Sequence, residues 1–213
     1  MELKTQTPLL QFSDEMSKLR DSLSAVLFVG DTLWVASDEA TSVERLSTDD
    51  GLTFKNHKSF PLDDFIPLPA HGTEFDQEID IEGMDFLDSH LWLVGSHSIK
   101  RKKVDTDDTG TDEKLIKKLA KTEADGNRFI LARIPLINTN GSEELVDAAK
   151  DPNSPNRILR SSNLSASTKS NELTDSLRKA EGGKGDIHLS RFLDIPGKDN
   201  GFDKEIYREE TKA

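Results

Sequence analysis

The feature that most constrains this chain is an internal repeat that contains both of its tryptophans. Residues 25–37 (AVLFVGDTLWVAS) and 83–95 (GMDFLDSHLWLVG) align without a gap at an offset of 58 residues. Each copy has an apolar run, a short polar turn and a Leu-Trp pair followed by further apolar residues. Two short strands joined at Gly30-Asp31 or Asp88-Ser89 are predicted, which makes each copy a β-hairpin. A repeated hairpin unit indicates stacked or radial sheets.

Further strands are expected in both copies. In the first copy, segments 42–46 and 53–60 predict two short strands separated by the turn signal Asp49-Asp50-Gly51. The unit from 23 to 62 is then a four-stranded antiparallel meander, and such a sheet repeated around an axis is a propeller blade. In the second copy, the third strand is expected at 128–134 and the fourth at 157–163. The predicted fold is mainly β: a partial β-propeller of about two four-stranded antiparallel blades with helical insertions.

The helices are expected outside the two hairpins. One helix is predicted after Thr111, with Leu115, Ile116 and Leu119 on one face, and a second at 172–180, capped by Asn171. Segment 142–149 is a weaker third candidate. The predicted organisation follows the chain from an N-terminal arm to the start of a third unit: arm 1–20, first blade 21–66, second blade 78–170 with a charged insertion at 99–127, helix and loop 171–200, and an aborted third blade 201–213.

Composition restricts the partners and the compartment. The chain has 40 Asp and Glu against 28 Lys and Arg, a net charge of −12. An acidic surface repels nucleic acid and anionic lipid, so neither a nucleic acid nor a membrane partner is expected. The apolar runs are too short to span a bilayer. The absence of cysteine excludes disulfides and thiolate metal sites and agrees with a cytoplasmic location.

Three segments of the chain resemble a known family. They are residues 80–84 together with 91–98, residues 127–135, and residues 195–203. They resemble an uncharacterised bacterial family, number three-six-one-six among the domains of unknown function, and the resemblance covers most of residues 20–203. It implies a propeller-like fold and brings no established activity or catalytic residues. The family pattern implies another Asp-Ile-Glu-Gly-Leu after Gly201-Phe202, and the departure from it at 204–207 predicts a chain truncated at its C-terminus.

Acidic residues near the hairpins are candidates for a metal or ligand site. Asp80 and Glu82 open the second hairpin, Asp38 and Glu39 follow the first, and His97 takes the place of Glu39 in the second copy. Residues of the same parity on a strand face the same side, so Asp80 and Glu82 can both point into a central funnel. Such oxygen ligands suit a divalent cation such as calcium, and they can serve metal-assisted hydrolysis. The alternative is that Asp80 and Glu82 cap turns at a blade junction.

Other candidates carry less chemistry. Lys100 and Arg101 begin the basic run 100–103 and are candidates for binding an anion at the funnel rim, although acidic residues at 105–108 compensate their charge. Ser96 and Ser98 flank His97, and adjacent residues of an expected strand point to opposite faces. This disfavours a serine nucleophile activated by His97. Trp34 and Trp92 occupy equivalent positions and are predicted to be structural, packing between adjacent sheets.

The function expected from these observations is a non-catalytic binding or scaffold module built from a truncated propeller. The alternative is a metal-dependent hydrolase of phosphoesters or lactones with a carboxylate-lined central funnel. Whether the chain is an enzyme stays open at this point. An incomplete ring leaves strand edges and sheet faces unpartnered, so self-association through the unpaired edge strands is also expected.

Overall fold

The first part of the chain folds into one curled sheet. The structure is a computed structural model that describes residues 6–13, 19–70, 78–98, 100–101, 110–123, 125–164, 167 and 170–180. The first sheet contains β1 Leu9–Leu10, β2 Leu23–Val29, β3 Thr32–Ser37, β4 Ser42–Ser47 and β5 Thr53–Pro61. Strands β2 to β5 are antiparallel neighbours in chain order, and β1 pairs in parallel with the outer edge of β5. This is the meander that the repeat predicted.

The second part of the chain contributes another curled sheet, two short hairpins and two helices. Its elements are β6 Ile81–Leu87, β7 His90–Gly95, β8 Lys100–Arg101, α1 Asp112–Leu119, β9 Thr122–Glu123, β10 Leu131–Thr139, β11 Ser142–Leu145, β12 Ala148–Asp151, β13 Ser154–Arg160, β14 Ser162–Asn163 and α2 Glu172–Ala180. The second sheet has the order β11-β10-β7-β6, and β14 also pairs with β10. Strands β8 and β9 form one hairpin, β12 and β13 another. The chain is mainly β, and its blade-like antiparallel sheets form a partial propeller-like fold.

The outer strands of the second sheet differ from the sequence prediction. The third strand begins at Leu131, because Gly126–Phe129 form a 3-10 turn. Asp125 caps this turn, since its Oδ1 accepts a hydrogen bond from Asn127 N at 3.2 Å. The fourth position is shared: β14 pairs with the first half of β10 and β11 with its second half. Strand β13, expected beside β10, pairs with β12 instead.

The helix predicted over 142–149 is wrong, because this segment contains β11 and the start of β12. Asn140 and Gly141 between β10 and β11 both have positive φ, 55° and 87°. An Asn-Gly pair with two positive φ values closes a two-residue hairpin, and this turn directs the chain back along β10. The local hairpin signal therefore overrides the weak helical spacing.

Two helices predicted from the sequence are present. Helix α2 spans Glu172–Ala180 and is capped by Asn171, whose Oδ1 accepts a hydrogen bond from Thr174 N at 2.8 Å. Helix α1 follows Thr111, whose side chain makes no capping hydrogen bond. Neither helix is long and apolar enough to cross a membrane. The predicted third blade at 201–213, with Asp203 and Glu205, lies outside the described residues.

The two sheets stack on each other through opposite faces. We call the face that bears the tryptophan of each sheet its Trp face and the other its back face. Because partners in an antiparallel pair share a face, Leu27 lies with Trp34 on the Trp face of the first sheet. The main core joins this face to Leu91 and Leu93 on the back face of the second sheet. The Trp face of one sheet therefore packs against the back face of the next.

Polar contacts hold the stack together at its two ends. At one end, Ser24 Oγ donates to the carbonyl of Ile81 at 2.5 Å. At the other, Arg45 and Lys58 of the first sheet reach Glu144 of the second at 2.7 and 2.5 Å. Burial raises the pKa of Glu144, but the hydrogen bonds and charges of Lys58 and Arg45 outweigh it, so that this pKa lies below its ordinary value. The ion pairs thus favour one register between the sheets.

Candidate functional site

One end of the stack brings together three of the residues that the sequence singled out, with Arg128 beside them. We call it the polar end and define it by Asp38 after β3, Asp80 before β6, His97 after β7 and Arg128 before β10. Strand β7 can end beside the 3-10 turn Gly126–Phe129 because Gly95 has no side chain. A Cβ at Gly95 would lie 2.5 Å from the carbonyl oxygen of Arg128. The close approach lets His97 N donate to the same carbonyl at 2.9 Å.

Asp80 is held by an ion pair. Its carboxylate contacts the Arg128 guanidinium, and the side chains of the two residues are only 8% and 15% exposed. The backbone of Asp80 has φ 56°, a left-handed conformation that Asp tolerates better than most residues. This pairing neutralises the carboxylate and occupies it, and it turns Asp80 away from the regular strand.

Glu82 and Glu39 do not join Asp80. The pairing of β6 with β7 shifts register between Ile81 and Gly83, and this irregularity together with the left-handed Asp80 breaks the alternation on which a shared face depends. Glu82 is exposed, whereas Asp80 is buried. Glu39 is exposed in the turn after β3. Among the residues that the structure describes, no three His, Asp or Glu side chains are grouped to hold a metal ion.

His97 is buried beside the second helix. Its Nδ1 lies 2.8 Å from Thr174 Oγ1 of α2, and the ring meets Phe129 edge-on at 6.4 Å between centroids. Its Nε2 and the Oδ1 of Asp38 are buried atoms with no hydrogen-bond partner. Burial lowers the pKa of His97, and the effect of a nearby backbone group at Ile130 is smaller and opposite. The imidazole is therefore neutral at pH 7 and joins α2 to the second sheet.

Substituting His97 with asparagine is expected to weaken the dependence of stability on pH. Because the pKa of His97 is lower in the folded state, the unfolded chain takes up the proton first as the pH falls. The part of the free energy of unfolding that depends on neutral His97 is fully present above the unfolded pKa of about 6.5, and it is lost as the pH falls below that value. Asparagine does not titrate and tolerates the left-handed backbone at this position, φ 53°.

The measurement is urea unfolding followed by circular dichroism at about pH 7 and about pH 5. The control is Thr174→Val, which removes the hydrogen-bond partner of His97 but keeps the imidazole. We expect the control to retain the loss of stability between the two pH values. An equal loss in His97→Asn and the natural chain would show that this histidine is not responsible.

The remaining predicted residues lie elsewhere. Trp34 is completely buried between the sheets, where its Nε1 donates to Thr32 Oγ1 at 3.0 Å. Trp92 is half-buried on the Trp face of the second sheet, where Arg133 lies 5.7 Å from its ring centroid. Lys100 and Arg101 form β8, but their side chains fall outside what the structure describes.

A histidine network that sequence reasoning missed joins the N-terminal arm to the first sheet. His57 Nε2 lies 2.8 Å from Oε2 of the fully buried Glu44, and His57 Nδ1 lies 3.1 Å from Ser13 Oγ. Hydroxyls of Ser42 and Ser59 donate to Oε1 of Glu44 at 2.5 and 3.0 Å. No local sequence motif predicts this network, because its members come from separate strands and the arm.

The order carboxylate, imidazole and hydroxyl is that of a nucleophilic relay, but the geometry favours a structural role. The backbone N–H of Ser13 also points to His57 Nδ1, at 3.4 Å, so the nitrogen that would serve as base accepts a main-chain hydrogen bond. Phe12 packs edge-on against the His57 ring at 5.4 Å. The network thus fastens the arm to the back face of the first sheet.

Exposed apolar side chains mark the two outer faces of the stack. Val26 and Phe28 on the back face of the first sheet are 65% and 61% exposed, and Leu87 on the Trp face of the second sheet is 62% exposed. Each lies on the first strand of its tryptophan-bearing hairpin, β2 or β6. They are the most exposed large apolar side chains of the two sheets in the described part of the chain.

The fold and these surfaces define a partial propeller-like β protein without an assembled metal centre in its described residues. Residues 22–207 match the family described as "Protein of unknown function (DUF3616)", and the chain belongs to that family. No curated protein and no solved structure gives a significant match to the chain.

Proposed function

We propose that the chain is a non-catalytic binding or scaffold module. The observation that carries this proposal is the exposure of Val26, Phe28 and Leu87 on the two outer faces of a folded two-sheet stack. Apolar side chains at more than half exposure gain free energy when a partner removes them from water, at about 25 cal/mol per Å² of apolar area. The outer faces are therefore the surfaces on which a partner gains most.

The polar end gives less support to the hydrolase alternative. A metal-dependent hydrolase needs several carboxylate or imidazole ligands around one ion and an open position for water or substrate. Here Asp80 is paired with Arg128, Glu82 is exposed apart from it, and the Nδ1 of His97 is occupied by a hydrogen bond with Thr174. The charges at this end are used for packing, which agrees with a structural role.

The charge, the composition and the strand edges of the chain bear on the partners and the compartment of the module. A net charge of −12 opposes binding to nucleic acid, and the absence of cysteine agrees with the cytoplasm. Self-association through strand edges is part of the proposal, although β1 already covers part of the outer edge of β5 at Thr53 and Phe54. That pairing leaves the sheet faces as the larger unpartnered surface.

The proposal is tested with the apolar dye bis-ANS on the natively folded chain. We expect Phe28→Ser to reduce dye binding, because it removes an exposed ring from the back face of the first sheet. The matched control is Ile116→Ser on α1, which removes an apolar side chain of similar exposure, 64%, away from the stack. Near-ultraviolet circular dichroism verifies that both variants keep native packing.

Two outcomes would contradict the proposal. One is an equal decrease of dye binding in Phe28→Ser and Ile116→Ser, which would mean that the outer faces of the stack bind the dye no better than α1 does. The other is turnover of p-nitrophenyl phosphate or of a simple lactone in the presence of calcium, abolished by Glu82→Gln. That second result would establish the hydrolase alternative.

A further inference from the structure

The two sheets are related by the sequence repeat, and this gives the stack a direction. Trp34 pairs across its hairpin with Leu27, and Trp92 pairs with Asp85, at the same offset of 58 residues. The two tryptophans are therefore equivalent in register. Yet the first sheet buries its Trp face in the stack, whereas the second sheet buries its back face.

A directional stack turns two complementary faces away from the shared core, and each is partly covered: His90 on the Trp face of the second sheet is 2% exposed, and Leu33 and Val35 on the back face of the first sheet are 3% and 1% exposed. The Trp face of the second sheet is the equivalent of the face with which the first sheet packs. The back face of the first sheet is the equivalent of the face with which the second sheet packs. In the repeat, Val26 corresponds to Met84 and Phe28 to Phe86, so apolar residues recur at both positions.

We propose that a second copy of this chain docks head-to-tail, the Trp face of its second sheet packing on the back face of the first sheet of its neighbour. This inference rests on the proposed function and names its partner. The contact would join the parts of the two faces that stay open, because the N-terminal arm already covers Leu33 and Val35, the equivalents of Leu91 and Leu93 in the interface within one chain. Its apolar centre would join Leu87 of one copy to Val26 and Phe28 of the other, which are all more than 60% exposed.

A positive charge is also repeated in the required place. Arg45 lies across the strand pair from Trp34, and Arg133 lies across from Trp92, so the two arginines are equivalent. Within the chain, Arg45 reaches over the interface to Glu144 at 2.7 Å. Arg133 lies over the ring of Trp92 at 5.7 Å on the Trp face of the second sheet, where a neighbour with a net charge of −12 would meet a positive charge.

The N-terminal arm limits how much of the back face is available. Leu10 and Phe12 pack on the buried cluster of Leu33, Val35, Leu46 and Phe54, so the arm covers the back face of β3, β4 and β5. Strand β2 stays uncovered at Val26 and Phe28. The second copy is therefore expected to contact the first sheet at β2. Such an interface is the same for every copy but joins two different faces, so it can close a ring or extend a chain.

Paired surface variants test the head-to-tail arrangement. In Phe28→Glu the back face is blocked, and in Leu87→Glu the Trp face is blocked. By sedimentation velocity, we expect the mass of the natural chain to increase with concentration and each variant alone to remain a monomer. An equimolar mixture of the two variants should form a dimer of twice the monomer mass, because each supplies the face that the other lacks. Ile116→Glu should behave as the natural chain.

Crosslinking provides a second measurement that does not depend on charged substitutions. The natural chain has no cysteine, so Val26→Cys and Leu87→Cys each introduce one thiol. Oxidation of their mixture should yield a disulfide-linked dimer, at least several-fold more than either variant yields alone. A natural chain that stays monomeric, or crosslinks that form equally within each single variant, would overturn the proposal. Dye binding that still depends on Phe28 in that case would leave the binding module intact.

Discussion

Replacing Trp34 with alanine is expected to lower the free energy of unfolding by about 3–5 kcal/mol. Trp34 is completely buried, its ring lies 5.2 Å from that of Phe60, and its Nε1 donates to Thr32 Oγ1. Removing the indole leaves a cavity between the sheets and deprives that hydroxyl of a donor. The packed surroundings cannot close such a cavity without moving strands.

The sequence repeat supplies a matched control in Trp92→Ala. Trp92 occupies the equivalent register position but is half-buried. Its Nε1 donates to the carbonyl of Leu87 at 3.3 Å, and Arg133 lies 5.7 Å from its ring centroid. Loss of these contacts is expected to cost about 1 kcal/mol. Urea unfolding followed by far-ultraviolet circular dichroism compares the two variants without relying on tryptophan fluorescence. Equal destabilisation by both substitutions would contradict the directional stack, since it would place the two tryptophans in equivalent surroundings.

Substituting Asp80 with asparagine is expected to destabilise the fold by about 3–5 kcal/mol. The substitution removes the negative partner of Arg128 and leaves a positive charge whose side chain is only 15% exposed. Asparagine has nearly the same shape as aspartate and also tolerates positive φ, so the backbone at this position is not the cause of the change. The measurement therefore isolates the missing charge.

Asp88→Asn is the control for Asp80→Asn. Asp88 is also paired with an arginine, Arg157, but these side chains are 52% and 41% exposed. An exposed ion pair contributes little to the free energy of unfolding, because water screens both charges. Chemical unfolding of both variants at neutral pH gives the comparison. If the two substitutions proved equally mild, the pair at the polar end would not be a buried structural contact.

The sequence predicted the first sheet well because its signals are local. Alternating apolar residues, the Gly30-Asp31 turn and the Asp-Asp-Gly turn each act within a few residues, and they agree with one another. The same holds for α2, whose cap at Asn171 is adjacent to the helix it stabilises. In the second sheet the Asn140-Gly141 turn carried an equally local signal for the hairpin of β10 and β11, and the helical spacing of 142–149 pointed the other way.

The candidate site was predicted less completely because parity arguments assume a regular strand. Asp80 and Glu82 have the same parity, but a left-handed residue and a shift of register separate them. The network of Ser13, His57 and Glu44 is assembled from segments far apart in the chain. No spacing in the sequence marks such a group, since its members meet only when the sheet and the arm are in place.

By itself the sequence determined the two tryptophan-bearing hairpins, their turns and the equivalence of Trp34 with Trp92, because these depend on neighbours along the chain. The tertiary structure alone decided which face of each sheet is buried, which strands flank β10 and which partner Asp80 takes. Those outcomes depend on contacts between distant segments, where packing two apolar faces removes more surface from water than any single strand can. For this reason the equivalent tryptophans differ in burial, although both follow a leucine at the same register position of a hairpin.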